Sequence, residues 1–155
     1  MSAGESGPIH AFLAGRGRDG RGRLLAEVLA FDDQRLEAVH DFVQWLFPLP
    51  EASRAVPGAP VLDPAQAAAI RADPVALAGL RAARDRMARF YAGTDHWLVA
   101  HDHNHLRITR ILASLRDLVG PDEARAFHDA VAARNRAAGG PVNRDSLGFW
   151  ERACG

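Results

Sequence analysis

"NHLRITRILASLRDLV", from Asn104 to Val119, is the stretch that decides the fold class. Its apolar residues recur every three or four positions, which is the spacing of one face of an α-helix. The same spacing places Arg107, Arg110 and Asp117 away from the centre of that face. The pattern predicts a long amphipathic helix whose apolar side packs against other helices.

Several other stretches predict helices from apolar spacing or from residues that begin and end helices. No stretch of useful length alternates between apolar and polar residues as a half-buried strand does. We therefore expect an all-α, single compact multi-helix domain over residues 1–155, with about five to seven helices. The further helical stretches are Pro8–Ala14, Leu24–Phe31, Asp33–Phe47, Pro64–Arg71, Pro74–Tyr91, Pro121–Arg136 and Ser146–Ala153.

Composition and charge favour a soluble globular protein. The formal net charge is zero, so no overall field attracts nucleic acid or a membrane surface. All 19 basic residues are arginine, and alanine and glycine are abundant, which is typical of a GC-rich bacterial coding sequence. Cys154 is the single cysteine, so neither an internal disulfide nor a thiolate metal site is expected. No signal peptide and no apolar stretch of roughly 20 residues is found. These features predict a cytoplasmic location, no nucleic-acid partner and no membrane insertion, and they leave the oligomeric state open.

The segment "GRGRDGRGR", residues 15–23, is rich in glycine and arginine. Its glycines predict a flexible, solvated loop. An anion-binding arm is the alternative interpretation, because each arginine can hold a carboxylate or phosphate through paired hydrogen bonds.

Histidines His101, His103 and His105 alternate along the chain just before and within the predicted Asn104–Val119 helix. On an extended backbone, alternate side chains share a face, so three imidazoles could bind a divalent metal such as zinc. Glu37 and His40 form an E-x-x-H pair, a spacing that metal sites in helical bundles use. One hypothesis is therefore a metal-dependent enzyme that uses all five residues.

Two other interpretations of the same region need no metal. The first is an anion pocket, in which N–H groups at the start of the Asn104–Val119 helix act together with Arg107 and Arg110. The second is purely structural, with Asp102 or Asn104 capping the helix and the histidines bonding to loop carbonyls. Neither a glycine-framed nucleophile nor a phosphate-binding loop pattern occurs, so we assign no catalytic residues.

"HDFVQWLFPLPE", from His40 to Glu51, is a second dense stretch. Its aromatic residues Trp45 and Phe47 are predicted to lie in the core, while Gln44 is expected at the surface. His40 falls beside the apolar stripe of the predicted helix, so we expect a partly buried histidine.

Two motifs together resemble the conserved region of the opioid growth factor receptor family. They are "LEAVHDFVQWLFPLPE" (Leu36–Glu51) and "HNHLRITRILASL" (His103–Leu115). The family pattern reads approximately LE-x-x-H-x-(Y/F)-(I/V)-QWLFP, then AP-x-L, then HN-x-LRITRIL-x-SL. The segment "SRAVPGAPVLDPAQ" (Ser53–Gln66) fits the middle piece, and the similarity extends from about Phe12 to Val131.

This resemblance implies a helical domain with a binding role, without established catalytic residues or a cofactor. The expected ligand is a peptide or a small acidic molecule, in a pocket between the Asp33–Phe47 and Asn104–Val119 helices. The alternatives are the metal-dependent enzyme and a structural core without a ligand site. The motif residues expected to form one joint polar surface are His40, Gln44, Trp45, His103, Asn104, Arg107 and Arg110.

Overall fold

Residues 6–155 are described by the computed structural model, and nine α-helices make up their regular secondary structure. The fold class is all-α, as the sequence predicted. More helices form within this part of the chain than the expected five to seven, partly because the single helix predicted over Asp33–Phe47 forms as two short helices. No helix there has both the length and the apolar character needed to cross a lipid bilayer. The helices are α1 (Pro8–Leu13), α2 (Leu25–Leu29), α3 (Asp33–Ala38), α4 (Val43–Leu46), α5 (Pro64–Arg71), α6 (Pro74–Gly93), α7 (His103–Leu118), α8 (Pro121–Ala137) and α9 (Arg144–Ala153).

The chain folds into two compact units. The first unit is Met1–Ala83 and contains α1 to α5, and the second is Arg84–Gly155 and contains α7 to α9. Helix α6 contributes residues to both.

Polar caps fix the helix starts in the first unit. Asp63 accepts the backbone N–H of Gln66 at 2.8 Å, and α5 has the bounds that its Asp-Pro start predicted. The Gln66 side chain in turn accepts the backbone N–H groups of Ile9 and His10 through its Oε1, at 3.0 and 3.2 Å. A residue of α5 therefore caps α1, which joins two helices that are distant in sequence.

The continuous helix predicted over Asp33–Phe47 is wrong, because the chain leaves the helix at Val39. This residue has an extended backbone (φ −93°, ψ 132°), and helical structure resumes at α4. In an unbroken helix, Phe42 would lie about a third of a turn from the face of Leu36. The break allows both side chains to be completely buried. Core packing therefore outweighs the helical preference of the sequence.

Aromatic residues form the core of the second unit against α7. Trp97 and Trp150 are fully buried, with ring centroids 6.4 Å apart, and Tyr91 packs edge-on to Trp97 at 5.2 Å. The predicted helix over Asn104–Val119 is confirmed with a shift of one residue at each end, and its apolar stripe is buried. That stripe comprises Ile108, Ile111, Leu112, Leu115 and Leu118.

Arg107 departs from the predicted outward orientation. Its exposed fraction is 7%, whereas charge alone placed it on the solvent side of α7. An arginine can bury its methylene stem along an apolar surface while its guanidinium finds polar partners. The charge pattern therefore did not predict that the side of α7 that carries Arg107 is buried.

Candidate ligand-binding site

A candidate ligand site is a groove in the first unit. Its cavity volume is about 300 Å³, and three separate segments build it: the arginine–glycine loop, the break before α4 with α4 itself, and the proline loop after α4. We call it the Trp45 groove. It is lined by Gly20, Arg21, Asp41, Trp45, Val56, Pro57, Gly58 and Ala59.

Asp19 gives the arginine–glycine loop its shape. Its carboxylate accepts the backbone N–H groups of Arg21 and Arg23 at 2.9 Å, and it also accepts the Nε of Arg23 at 2.7 Å. These three hydrogen bonds to the buried carboxylate of Asp19 hold the tight loop closed. Losing any of them would leave part of the carboxylate's charge unsatisfied. The flexibility predicted for residues 15–23 stays a prediction.

Asp41 joins this loop to the break between α3 and α4. One oxygen accepts the Nε of Arg21 at 2.7 Å, and the other accepts Nη2 of Arg23 at 2.9 Å. Burial alone would raise the pKa of Asp41, but the hydrogen bonds from the two arginines outweigh it and lower this pKa. Asp41 therefore stays charged and holds one wall of the groove in place.

Trp45 forms the aromatic wall of the groove, which corrects its predicted position in the core. The indole is partly exposed and packs edge-on against Phe12 at 5.6 Å. No residue within 6–155 accepts a hydrogen bond from its Nε1, and this atom is not buried. Gly20 lies next to the indole, and a Cβ added there would be 3.8 Å from that nitrogen. The indole N–H is therefore open to a ligand.

Gln44 also departs from its expected position. It was predicted at the surface, yet its exposed fraction is only 6%. Its Oε1 is buried and has no hydrogen-bond partner among the described residues.

The proline loop supplies further apolar lining of the groove. The Ser53 hydroxyl accepts the backbone N–H of Val56 at 3.1 Å, and Ala59 donates its N–H to the carbonyl of Val56 at 3.2 Å. Gly58 has φ 82°, a conformation that glycine adopts without strain. This turn places Val56 and Pro57 along the groove.

Asn104, in the second unit, has a structural environment. It is fully buried, its Oδ1 accepts the Tyr91 hydroxyl at 3.0 Å, and its Nδ2 donates to Asp102 at 2.9 Å. Asp102 also accepts the backbone N–H of Asn104 at 2.9 Å, so Asp102 is the helix cap. An acid of the chain itself therefore occupies the helix start where the anion pocket was predicted.

The three alternating histidines differ in environment. His105 is buried, and its Nε2 donates to the carbonyl of Trp97 at 2.8 Å. Its Nδ1 is also buried and has no partner within the described part of the chain. His101 and His103 are exposed, and His101 precedes α7. His103 and His105 point to different faces of the helix.

Glu37 and His40 do not share a helix. Glu37 lies on α3, while the exposed His40 follows the extended Val39, so the one-turn spacing predicted for this pair is absent. Within residues 6–155, no group of three or more His, Cys, Asp or Glu side chains is arranged to hold a metal ion.

The seven motif residues expected to form a joint surface are divided between the two units. His40, Gln44 and Trp45 belong to the first unit, and the other four belong to the second. The joint surface stays a prediction. Arg21, Asp41 and Pro57 were not among the predicted ligand residues, although their sequence segments had been singled out. The glycine-rich loop and the proline loop were the available signals.

Comparisons with protein families, with curated proteins and with solved structures find no match to this chain.

Proposed function

We propose that this protein is a helical binding module for a peptide or small acidic ligand, of the type found in the opioid growth factor receptor conserved region. The Trp45 groove is its ligand site. The proposal rests mainly on one observation: an apolar groove carries hydrogen-bond donors that the described residues do not use.

The first donor is the indole N–H of Trp45, described above. The second is the guanidinium of Arg21, which uses Nε to bind Asp41. Its two terminal nitrogens make no hydrogen bond to the described residues, and 72% of the side chain is exposed. Terminal guanidinium nitrogens bind a carboxylate in a paired arrangement, which favours an acidic ligand.

Small-ligand sites combine apolar surface with a few polar groups that orient the ligand, and the Trp45 groove has both. Trp45, Val56 and Pro57 offer apolar surface, and the two residues that carry the donors, Trp45 and Arg21, line the same groove. Trp45 also belongs to the longest motif of the family resemblance, and Pro57 belongs to its middle segment. Motif and groove therefore support the same site.

Tryptophan fluorescence tests the proposal. Trp97 and Trp150 are fully buried, so Trp45 is the indole accessible to ligand and to a soluble quencher. We expect acidic peptides and small dicarboxylates to shift the emission and to protect it from acrylamide quenching. Arg21→Ala should weaken that response, while Arg35→Ala, a matched loss of an exposed arginine outside the groove, should not.

Trp45→Phe serves as the second variant, because it keeps an aromatic wall but removes the indole donor. Calorimetric titration of this variant should show weaker binding without loss of helical circular dichroism. Equal affinities for wild type, Trp45→Phe and Arg21→Ala would place any ligand elsewhere and contradict the proposed site.

A further inference from the structure

We infer that the Trp45 groove binds an extended, proline-bearing peptide segment that carries an acidic side chain. This inference rests on the proposed function and specifies its ligand class. It follows from comparing the groove with the physical requirements of the known ways in which proteins bind peptides.

Strand addition needs an exposed sheet edge. Residues 6–155 contain no strand, only an isolated bridge between Arg18 and Leu24. A peptide that adds a strand therefore finds no row of free backbone groups in the described part of the chain.

Helix-in-groove binding needs a longer surface. A helix is about 10 Å wide and presents anchors over two turns or more. A cavity of about 300 Å³ lies at the lower limit for ligand pockets. It can receive one or two side chains of a narrow, extended segment rather than one face of a helix.

A peptide segment in the polyproline conformation fits the groove better than an added strand or a bound helix does. Such a segment has no internal hydrogen bonds, so its carbonyl groups stay available to a donor such as the Trp45 indole N–H. Proline rings pack on aromatic faces, and the segment loses little conformational entropy on binding because it is already extended. Trp45 and Pro57 supply the walls for that contact.

The charge of the groove determines which residue of the peptide is favoured beside its proline. Both oxygens of Asp41 already accept hydrogen bonds from arginines, whereas the terminal nitrogens of Arg21 have no such partner among the described residues. The groove therefore offers donors for a glutamate or aspartate of the peptide, while Asp41, the acid among its lining residues, is already paired with two arginines.

The test uses a short oligoproline peptide with one terminal glutamate. Its matched controls carry glutamine or lysine instead of the glutamate, or alanines instead of the prolines. ¹⁵N spectra of the indole groups provide the readout. Trp97 and Trp150 donate their indole N–H to the carbonyls of Thr94 and His105, so only the Trp45 resonance should shift on binding.

We expect the glutamate peptide to bind roughly tenfold more tightly than the lysine peptide, and the alanine control to bind weakly. Arg21→Ala should abolish the preference for glutamate while keeping the preference for proline, whereas Arg35→Ala should change neither. A structural role for Arg21 alone would lower all affinities equally.

Three results would overturn the inference. If alanine and proline peptides bind equally, the ligand is not defined by polyproline conformation. If small carboxylates shift the Trp45 resonance but no peptide does, the proposed function holds and this inference fails. If neither peptides nor carboxylates shift it, both fail.

Discussion

Arg21 donates its Nε to Asp41 at 2.7 Å, and this contact restrains a guanidinium that belongs to the lining of the Trp45 groove and whose terminal nitrogens bind no described residue. The arginine is thus oriented by one acid while keeping donors for a second. Such preorganisation lowers the entropic cost of binding, because the side chain is already restrained before a ligand arrives.

Asp41→Asn should weaken ligand binding and lower the free energy of unfolding by about 1–2 kcal/mol, since two charge-assisted hydrogen bonds become weaker. Urea unfolding and a ligand titration of the same variant measure both effects. Asp33→Asn is a matched control at the first position of α3, outside the groove. Unchanged affinity for Asp41→Asn would show that Asp41 does not position Arg21.

Acid should destabilise the first unit. Hydrogen bonds from Gln66 lower the pKa of Asp63, and a hydrogen bond from His10 lowers that of Asp73, while the arginines lower that of Asp41 despite its burial. A carboxyl with a lowered folded-state pKa stabilises the fold fully above its unfolded pKa of about 4. This contribution is lost as the pH falls through that value toward the folded-state pKa.

Unfolding measured between pH 6 and 2, roughly, should therefore show falling stability below about pH 4. Asp63→Asn should reduce the slope, because it removes one of the groups that take up a proton on unfolding. A slope that is the same in this variant and in wild type would contradict the assignment of Asp63.

Gly79→Ala should strongly destabilise the first unit. A Cβ at this position would overlap the carbonyl oxygen of Leu13, which belongs to the backbone and cannot move independently. We expect a loss of about 3 kcal/mol, at the upper end for overpacking. Gly148→Ala is the control, because its Cβ meets only the flexible end of Arg152 and alanine favours helix. An equal loss of thermal stability in the two variants would contradict this packing.

Asn104→Ala should act on folding rather than on binding. The substitution removes the acceptor for the Tyr91 hydroxyl and a donor to Asp102, at a cost of about 1–3 kcal/mol. A double-mutant cycle with Tyr91→Phe should show coupling, because the two side chains share one hydrogen bond. Loss of ligand affinity at unchanged stability would instead place Asn104 in a ligand site.

The sequence predicted the helix bounds best where apolar spacing and capping residues mark a single helix. Helix α5 begins after Asp63 as predicted, and α7 differs from its predicted range by one residue at each end. Periodicity and capping are local properties, so a single sequence reveals them. The break at Val39 was missed because its cause is the packing of Phe42 in the core, which spacing within the helix cannot indicate.

The candidate site was less predictable for the same reason. Trp45 was expected in the core and Gln44 at the surface, whereas Trp45 is partly exposed and Gln44 is buried. The groove also brings together Arg21, Asp41 and Pro57 from separate segments. No spacing rule connects residues that meet only through tertiary folding.

The most direct test of the central claim is the ¹⁵N chemical shift of the Trp45 indole during titration with the glutamate-bearing oligoproline peptide. A saturable shift of that resonance alone, which weakens in Arg21→Ala and not in Arg35→Ala, is the result that our account predicts. A Trp45 resonance that stays unchanged while the peptide binds, or that shifts identically in both arginine variants, would contradict it.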